Sequence, residues 1–222
     1  FYCKNCGNEH TKWHGQCKYC KEWNSLKEKK LSSLKMKSQT EFGNYFKKEN
    51  IPLKMSEIDS DNEIRLVVKD DEWNNVLGGG LVPGSVCLIS GEPGIGKSTL
   101  LLQISMKFDK RVLYVSGEES QRQIKVRSER IGKGIGQTFI LSETETENIF
   151  EQIKDINPEI VIIDSIQTLH SKMIDGSPGS VTQIRECSSE LIKYAKNTGS
   201  SVILIGHLTK DGNIAGPKVL EH

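Results

Sequence analysis

No stretch of about 18 consecutive apolar residues occurs in this 222-residue chain, so no segment can span a bilayer as a helix and no membrane partner is expected. Charge of one sign is also lacking. Thirty Lys and Arg stand against 29 Asp and Glu, so the overall balance argues neither for nor against nucleic acid, and only a local patch could bind it. Cysteine is scarce beyond the first twenty residues. Only Cys87 and Cys187 occur there. One sits in a strand-like run and the other in a helical pattern, so both read as small core residues. There is no internal repeat and no signal peptide ahead of Phe1. The chain opens on Phe and closes on Leu220-Glu-His222 without a terminating element. It reads as a piece of a longer protein, although the last three residues also fit an expression-tag remnant.

What is present is concentrated in motifs. Gly91-Glu-Pro-Gly-Ile-Gly-Lys-Ser98 spells G-x-x-x-x-G-K-S. A strand-like run, Ser85 to Ser90, precedes it, and a helical pattern, Thr99 to Phe108, follows. In that order the glycines let backbone N–H groups curl around phosphates while the helix N-terminus points its positive end at them. The expected nucleotide-binding residues are Gly91, Glu92, Pro93, Gly94, Ile95, Gly96, Lys97, Ser98 and Thr99. Lys97 reaches the outer phosphates and the Ser98 hydroxyl is a Mg²⁺ ligand. ATP and Mg²⁺ are the expected ligands.

The first 27 residues carry Cys3-x-x-Cys6, ten residues, then Cys17-x-x-Cys20. Two such knuckles complete a tetrahedral Cys₄ zinc site, closed and therefore structural. A disulfide framework would need an oxidising compartment, whereas a P-loop enzyme points to the cytoplasm. His10 and His14 lie between the knuckles as surface or supporting residues. Trp13, Tyr19 and Trp23 are expected to pack around the metal, since so short a module depends on the ion to fold. Lys4, Lys12, Lys18 and Lys21 fit either a phosphate backbone or a protein dock.

Residues 28–50 are rich in Lys and Ser without periodicity and read as a basic, solvated linker. Residues 51–222 read as one α/β domain. Apolar β-branched runs recur at Val86–Ile89, Val112–Val115, Thr138–Leu141, Ile160–Ile163 and Ser201–Ile205, as expected for strands of a mostly parallel sheet buried on both faces. The clearest helical stripe joins Val181, Ile184, Cys187, Leu191, Ile192 and Ala195. Ser177-Pro178 is expected to cap that helix.

Two strand ends add chemistry to the P-loop. Ile160-Val-Ile-Ile-Asp164 is an apolar strand closing on an acid, the Walker B pattern, and Asp164 is expected to hold Mg²⁺ beside Ser98. Val112-Leu-Tyr-Val-Ser-Gly-Glu118-Glu119 ends in paired carboxylates, which can polarise an attacking water. The pattern does not divide the labour between Glu118 and Glu119. His207 closes a fifth strand, where a γ-phosphate sensor would stand one strand from the nucleotide. Catalytic candidates are thus Lys97, Glu118, Glu119, Asp164 and His207.

Leu77-Gly-Gly-Gly-Leu-Val-Pro-Gly-Ser-Val86 resembles the entry to the P-loop of RecA-like ATPases. The full set resembles the bacterial RadA/Sms DNA repair family over nearly the whole chain. The set comprises the four-cysteine ribbon, Gly91 to Thr99, Tyr114-Val-Ser-Gly-Glu-Glu-Ser120, Ile163-Asp-Ser-Ile-Gln-Thr168, Pro178-Gly-Ser-Val-Thr-Gln-Ile-Arg-Glu-Cys187, Gly206-His-Leu-Thr-Lys210 and Ile214 to His222.

That resemblance implies a RecA-like ATPase core behind a zinc ribbon. It further implies homo-hexameric rings, binding of single-stranded or branched DNA, and branch migration of recombination intermediates with the RecA recombinase. Arg185 and the segment Lys210 to Lys218 are the DNA candidates it implies. It also implies a continuation past His222 through a Lys-Asn-Arg-Phe-Gly motif into a Lon-protease-like domain without protease activity. Two rival readings use the same residues: a clock-type or signalling kinase of the RecA superfamily, marked by phosphotransfer to protein without DNA, and an ATP-gated loader whose partner binding survives loss of both glutamates.

Overall fold

A computed structural model of the chain describes residues 2–3, 12–18, 21–27, 52, 54–57, 65–132, 134 and 137–207. The chain divides into two compact units, Phe1–Thr40 and Glu41–His222.

In the first unit, β1 (Tyr2–Cys3) pairs antiparallel with β2 (Leu26–Lys27), setting Cys3 opposite Leu26. Cys17 begins a tight turn: its carbonyl accepts from Lys21 N at 2.9 Å and its own N–H donates to the Glu22 carbonyl at 3.0 Å. Lys21 and Asn24 take positive φ to close that turn. Cys17 and Leu26 are buried together. Trp13 and Trp23, expected around a metal, are instead 56% and 67% exposed. Their rings flank Gly15, because so small a module has no interior wide enough for two indoles.

In the second unit a 3-10 turn at Met55–Glu57 precedes the short helix α1 (Asp71–Val76), capped by Asp70, whose side chain accepts from Trp73 N. The alternating series β3 (Val86–Gly91), α2 (Lys97–Lys107), β4 (Arg111–Ser116), α3 (Gln121–Ile131), β5 (Gln137–Ser142), α4 (Thr146–Ile156), β6 (Ile160–Asp164), α5 (Val181–Thr198) and β7 (Ser201–His207) follows. The five strands form one parallel sheet in the order β3-β7-β6-β4-β5. None of the described helices is long and apolar enough to cross a membrane.

The unalternated runs have a direct cause. Val112, Tyr114, Ile160, Ile162, Ile203 and Ile205 face one core, closed by Leu101, Leu102 and Ile104 of α2 and Ile124 of α3. Leu113, Val115, Val161, Ile163, Val202 and Leu204 face the other, closed by Ile149, Phe150 and Ile153 of α4 and Ile184, Leu191 and Tyr194 of α5. Helices cover both faces, so both pleat directions must be apolar. Cys187 belongs to the second core, and burial pushes its thiol up to about 12, as suits an inert core cysteine.

Two expectations are corrected. The run Thr138–Leu141 lies in β5, an edge strand: Ile140 and Leu141 pack against the two cores, but Phe139 is 43% exposed, so the strand is only partly covered. The cap of α5 is Ser180, not Ser177: its side chain accepts from Gln183 N, and Pro178 lies outside the helix. Gly179 has φ +80°, a left-handed turn that prevents the helix from starting at the proline.

Candidate active site

Parallel strands all present their carboxyl ends on one edge, so the loops after β3, β4 and β6 and the end of β7 meet there. β7 lies between the P-loop strand and the strand ending in Asp164, with Gly91 and His207 as register partners across β3 and β7. Asp164 is the register partner of Ser116 across β6 and β4.

β3 runs out at Gly91 and α2 starts at Lys97, so the loop between them is only a few residues long. Gly94 and Gly96 have φ +81° and +105°, conformations that L side chains rarely adopt, and no atom lies within 4 Å of where a Cβ would stand at either. The backbone demands glycine there, and the space over the loop is open. Lys97 is buried, with Nζ donating to the carbonyls of Gly91 and Glu92, both at 2.8 Å. Its ammonium is thereby folded over the loop. Ser98 and Thr99 occupy the first turn of α2.

Asp164 is 5% exposed. Its Oδ2 accepts from the Tyr114 hydroxyl at 2.6 Å, and the same hydroxyl lies 3.3 Å from the Ser98 carbonyl oxygen. The Walker B acid and the first turn of α2 therefore share one phenol. The Asp164–Ser165 peptide bond is cis. This donor set fits a hard divalent cation: a nearly buried carboxylate linked through Tyr114 to a serine at a helix start.

The two glutamates after β4 part company. Glu118 turns toward β7: its Oε1 lies 3.4 Å from His207 Nε2 and accepts from the Ser165 hydroxyl at 3.3 Å. Glu119 turns along α3 and pairs with Arg127 Nη2 at 2.7 Å. Ser116 Oγ accepts the backbone N–H of both, at 3.3 and 3.0 Å. Gly117 N donates to the Asp164 carbonyl at 2.9 Å, and a Cβ on Gly117 would collide with the Thr168 side chain. The turn that carries the carboxylates is thus pinned against the loop after β6.

Lys97, Glu118, Asp164 and His207 converge on this edge, whereas Glu119 is committed to Arg127. Arg185 is exposed on α5. Lys210 to Lys218, and Leu220 to His222, lie outside the described residues. So do Cys6, Cys20, His10, Tyr19 and the Cys3 side chain. Among the described residues no cluster of three or more His, Cys, Asp or Glu could hold a metal. Sequence reasoning missed Tyr114, Ser165 and Arg127. Tyr114 had a signal, a hydroxyl-bearing residue within an otherwise apolar run, while Ser165 and Arg127 had none.

Residues 54–213 match the AAA domain family, and residues 1–28 match the rubredoxin metal binding domain. The chain is 45% identical to the DNA repair protein RadA of Halalkalibacterium halodurans and 44% identical to those of Bacillus subtilis and Haemophilus influenzae. Each match covers 100% of this chain and 49% of the relative, so the chain spans about half the length of the curated relatives it matches. With a rubredoxin-type metal binding segment ahead of it and a five-stranded parallel sheet beneath its phosphate loop, the chain belongs to the AAA domain family and is similar along its whole length to part of these RadA proteins.

Proposed function

We propose that this chain is the ATP-hydrolysing part of a DNA repair motor. The observation that carries the reading is the convergence of Lys97, Asp164 and the Glu118–His207 pair at the carboxyl ends of β3, β6, β4 and β7. ATP lies along residues 91–99, with backbone N–H groups and Lys97 on its phosphates. Ser98 and Asp164 would hold Mg²⁺, which would supply positive charge to offset the negative charge developing on the phosphates. Glu118, half-exposed and aimed at β7, orients and polarises the attacking water. Glu119 holds the turn through Arg127. His207, touching Glu118 and standing beside the end of the P-loop strand, couples nucleotide state to the segment that follows it.

Residues 1–27 form a ribbon closed by zinc on Cys3, Cys6, Cys17 and Cys20, joined by residues 28–50 to the ATPase domain at 51–222. The motor acts on single-stranded or branched DNA as a homo-hexamer and works with the RecA recombinase in branch migration, with Arg185 and Lys210 to Lys218 facing the DNA. The names of the relatives support a DNA repair role.

Two measurements on the whole protein test this. Single-stranded DNA is expected to raise the ATPase rate, with the stimulation fading as salt rises because lysine–phosphate contacts release counterions. A rate indifferent to DNA would remove the motor reading. Glu118→Gln is expected to bind ATP normally and lose roughly 10²-fold in kcat, whereas Glu119→Gln keeps kcat within a few-fold. Parental turnover in Glu118→Gln would take water activation away from that residue.

A further inference from the structure

Tyr114 is 0% exposed, in the middle of β4, in a core otherwise built from aliphatic and aromatic side chains. A phenol in that position must find a partner or pay for its desolvated hydroxyl. It finds two, the Asp164 carboxylate at 2.6 Å and the Ser98 carbonyl at 3.3 Å. One hydroxyl has one proton, so the shorter contact takes the hydrogen bond and the longer one is a weak second acceptor. Burial, and then the Asp164 charge, push the phenol far above its ordinary value. The short contact makes it a donor to Asp164.

The consequence falls on Asp164. A carboxylate has two equivalent oxygens and can rotate about its last bond. With Oδ2 held by Tyr114, that rotation is restricted and Oδ1 is left for another partner. The same phenol touches the carbonyl of Ser98, the other residue of the cation pair, so the two are kept in register through one side chain.

We propose that Tyr114 is a positioning residue that orients the Asp164 carboxylate, relative to Ser98, for the cation that accompanies the nucleotide. This rests on the reading of Ser98 and Asp164 as the Mg²⁺ residues. Its chemical logic is that of any partner that holds a metal-binding carboxylate: loss of the partner loosens the ion by roughly 10-fold or more.

The test uses the whole protein and a non-hydrolysed ATP analogue. Its affinity is measured by titration calorimetry with Mn²⁺ and again in EDTA, and the ratio of the two reports how strongly the protein engages the metal. Tyr114→Phe is expected to lower that ratio roughly 10-fold while leaving the EDTA affinity and the urea midpoint close to parental. Asp164→Asn lowers the ratio at least as far, and adding Tyr114→Phe to it changes nothing more, because the tyrosine acts through the carboxylate. A normal ratio in Tyr114→Phe beside a reduced one in Asp164→Asn overturns the role of Tyr114 alone. A normal ratio in Asp164→Asn overturns the Mg²⁺ reading beneath it. Equal losses with Mn²⁺ and in EDTA would mark Tyr114 as packing only and also sink the proposal. If Tyr114→Phe does not fold, 3-fluorotyrosine at position 114 keeps the volume and sharpens the donor. A ratio that then fails to move overturns the idea.

Discussion

Glu118 and Glu119 are neighbours in the chain and carry the same group, yet they meet opposite surroundings. One reaches His207 and Ser165 across the sheet edge; the other reaches back to Arg127 on α3. Their separation depends on the residue before them. Gly117 passes so close to Thr168 that any side chain would displace the turn. Gly117→Ala is therefore expected to leave the P-loop and its ATP affinity intact while lowering kcat by about 10-fold or more, since a misplacement of about 1 Å can cost that much. Steady-state kinetics beside equilibrium ATP binding checks it, and an unchanged kcat would show that Glu118 needs no such support.

Among the elements, α4 and α5 pack together on one face of the sheet, and Glu190 of α5 is caught in that packing. Burial first, then Glu147 of α4 and Glu186 of α5, raise its carboxyl to about 7, against the pull of Thr146 and Lys193. Its Oε2 is buried without a hydrogen-bond partner among the described residues. The folded state thus prefers the protonated form. This group costs nothing below its unfolded value of 4.5, and the cost grows as pH rises toward 7 and then stays level. Glu190→Gln should therefore match the parent near pH 4.5 and exceed it well above pH 7 by about 1–2 kcal/mol, after discounting for partial solvent screening. Urea midpoints at the two pH values test this, and a gain that is largest in acid would contradict the sign.

At the scale of the whole molecule the two compact units rest on different physics. The ATPase unit has two extensive apolar cores, one on each face of a five-stranded sheet. The ribbon has little beyond Cys17 and Leu26 buried among its described residues, and metal is expected to supply most of its folding energy. Cys17→Ser is accordingly expected to reduce bound zinc to well below one equivalent and unfold the ribbon, while the ATPase unit keeps its melting transition. Metal analysis together with calorimetry would show it. Full zinc retention would remove Cys17 from the ligand set.

The sequence by itself determined the five strands and their parallel arrangement, because runs such as Ile160–Ile163 and Val202–Ile205 leave no polar face and so demand helices on both sides. It also determined the phosphate loop, since Gly94 and Gly96 stand where the backbone needs positive φ and those demands are local. Strand-end acids were legible for the same reason: Asp164 breaks an apolar run. The order of the strands was not legible, so neither was the edge position of β5 that leaves Phe139 exposed. Nor was the cap of α5, where the φ of Gly179 outweighed the Ser-Pro signal. Which glutamate faces His207, and that Tyr114 joins Asp164 to Ser98, were decided only by tertiary structure. Residues 114 and 164 are fifty apart in the chain, and no local propensity carries a hydrogen bond across that distance. Strand pairing creates it, when β4 and β6 lie side by side and bring Ser116 level with Asp164.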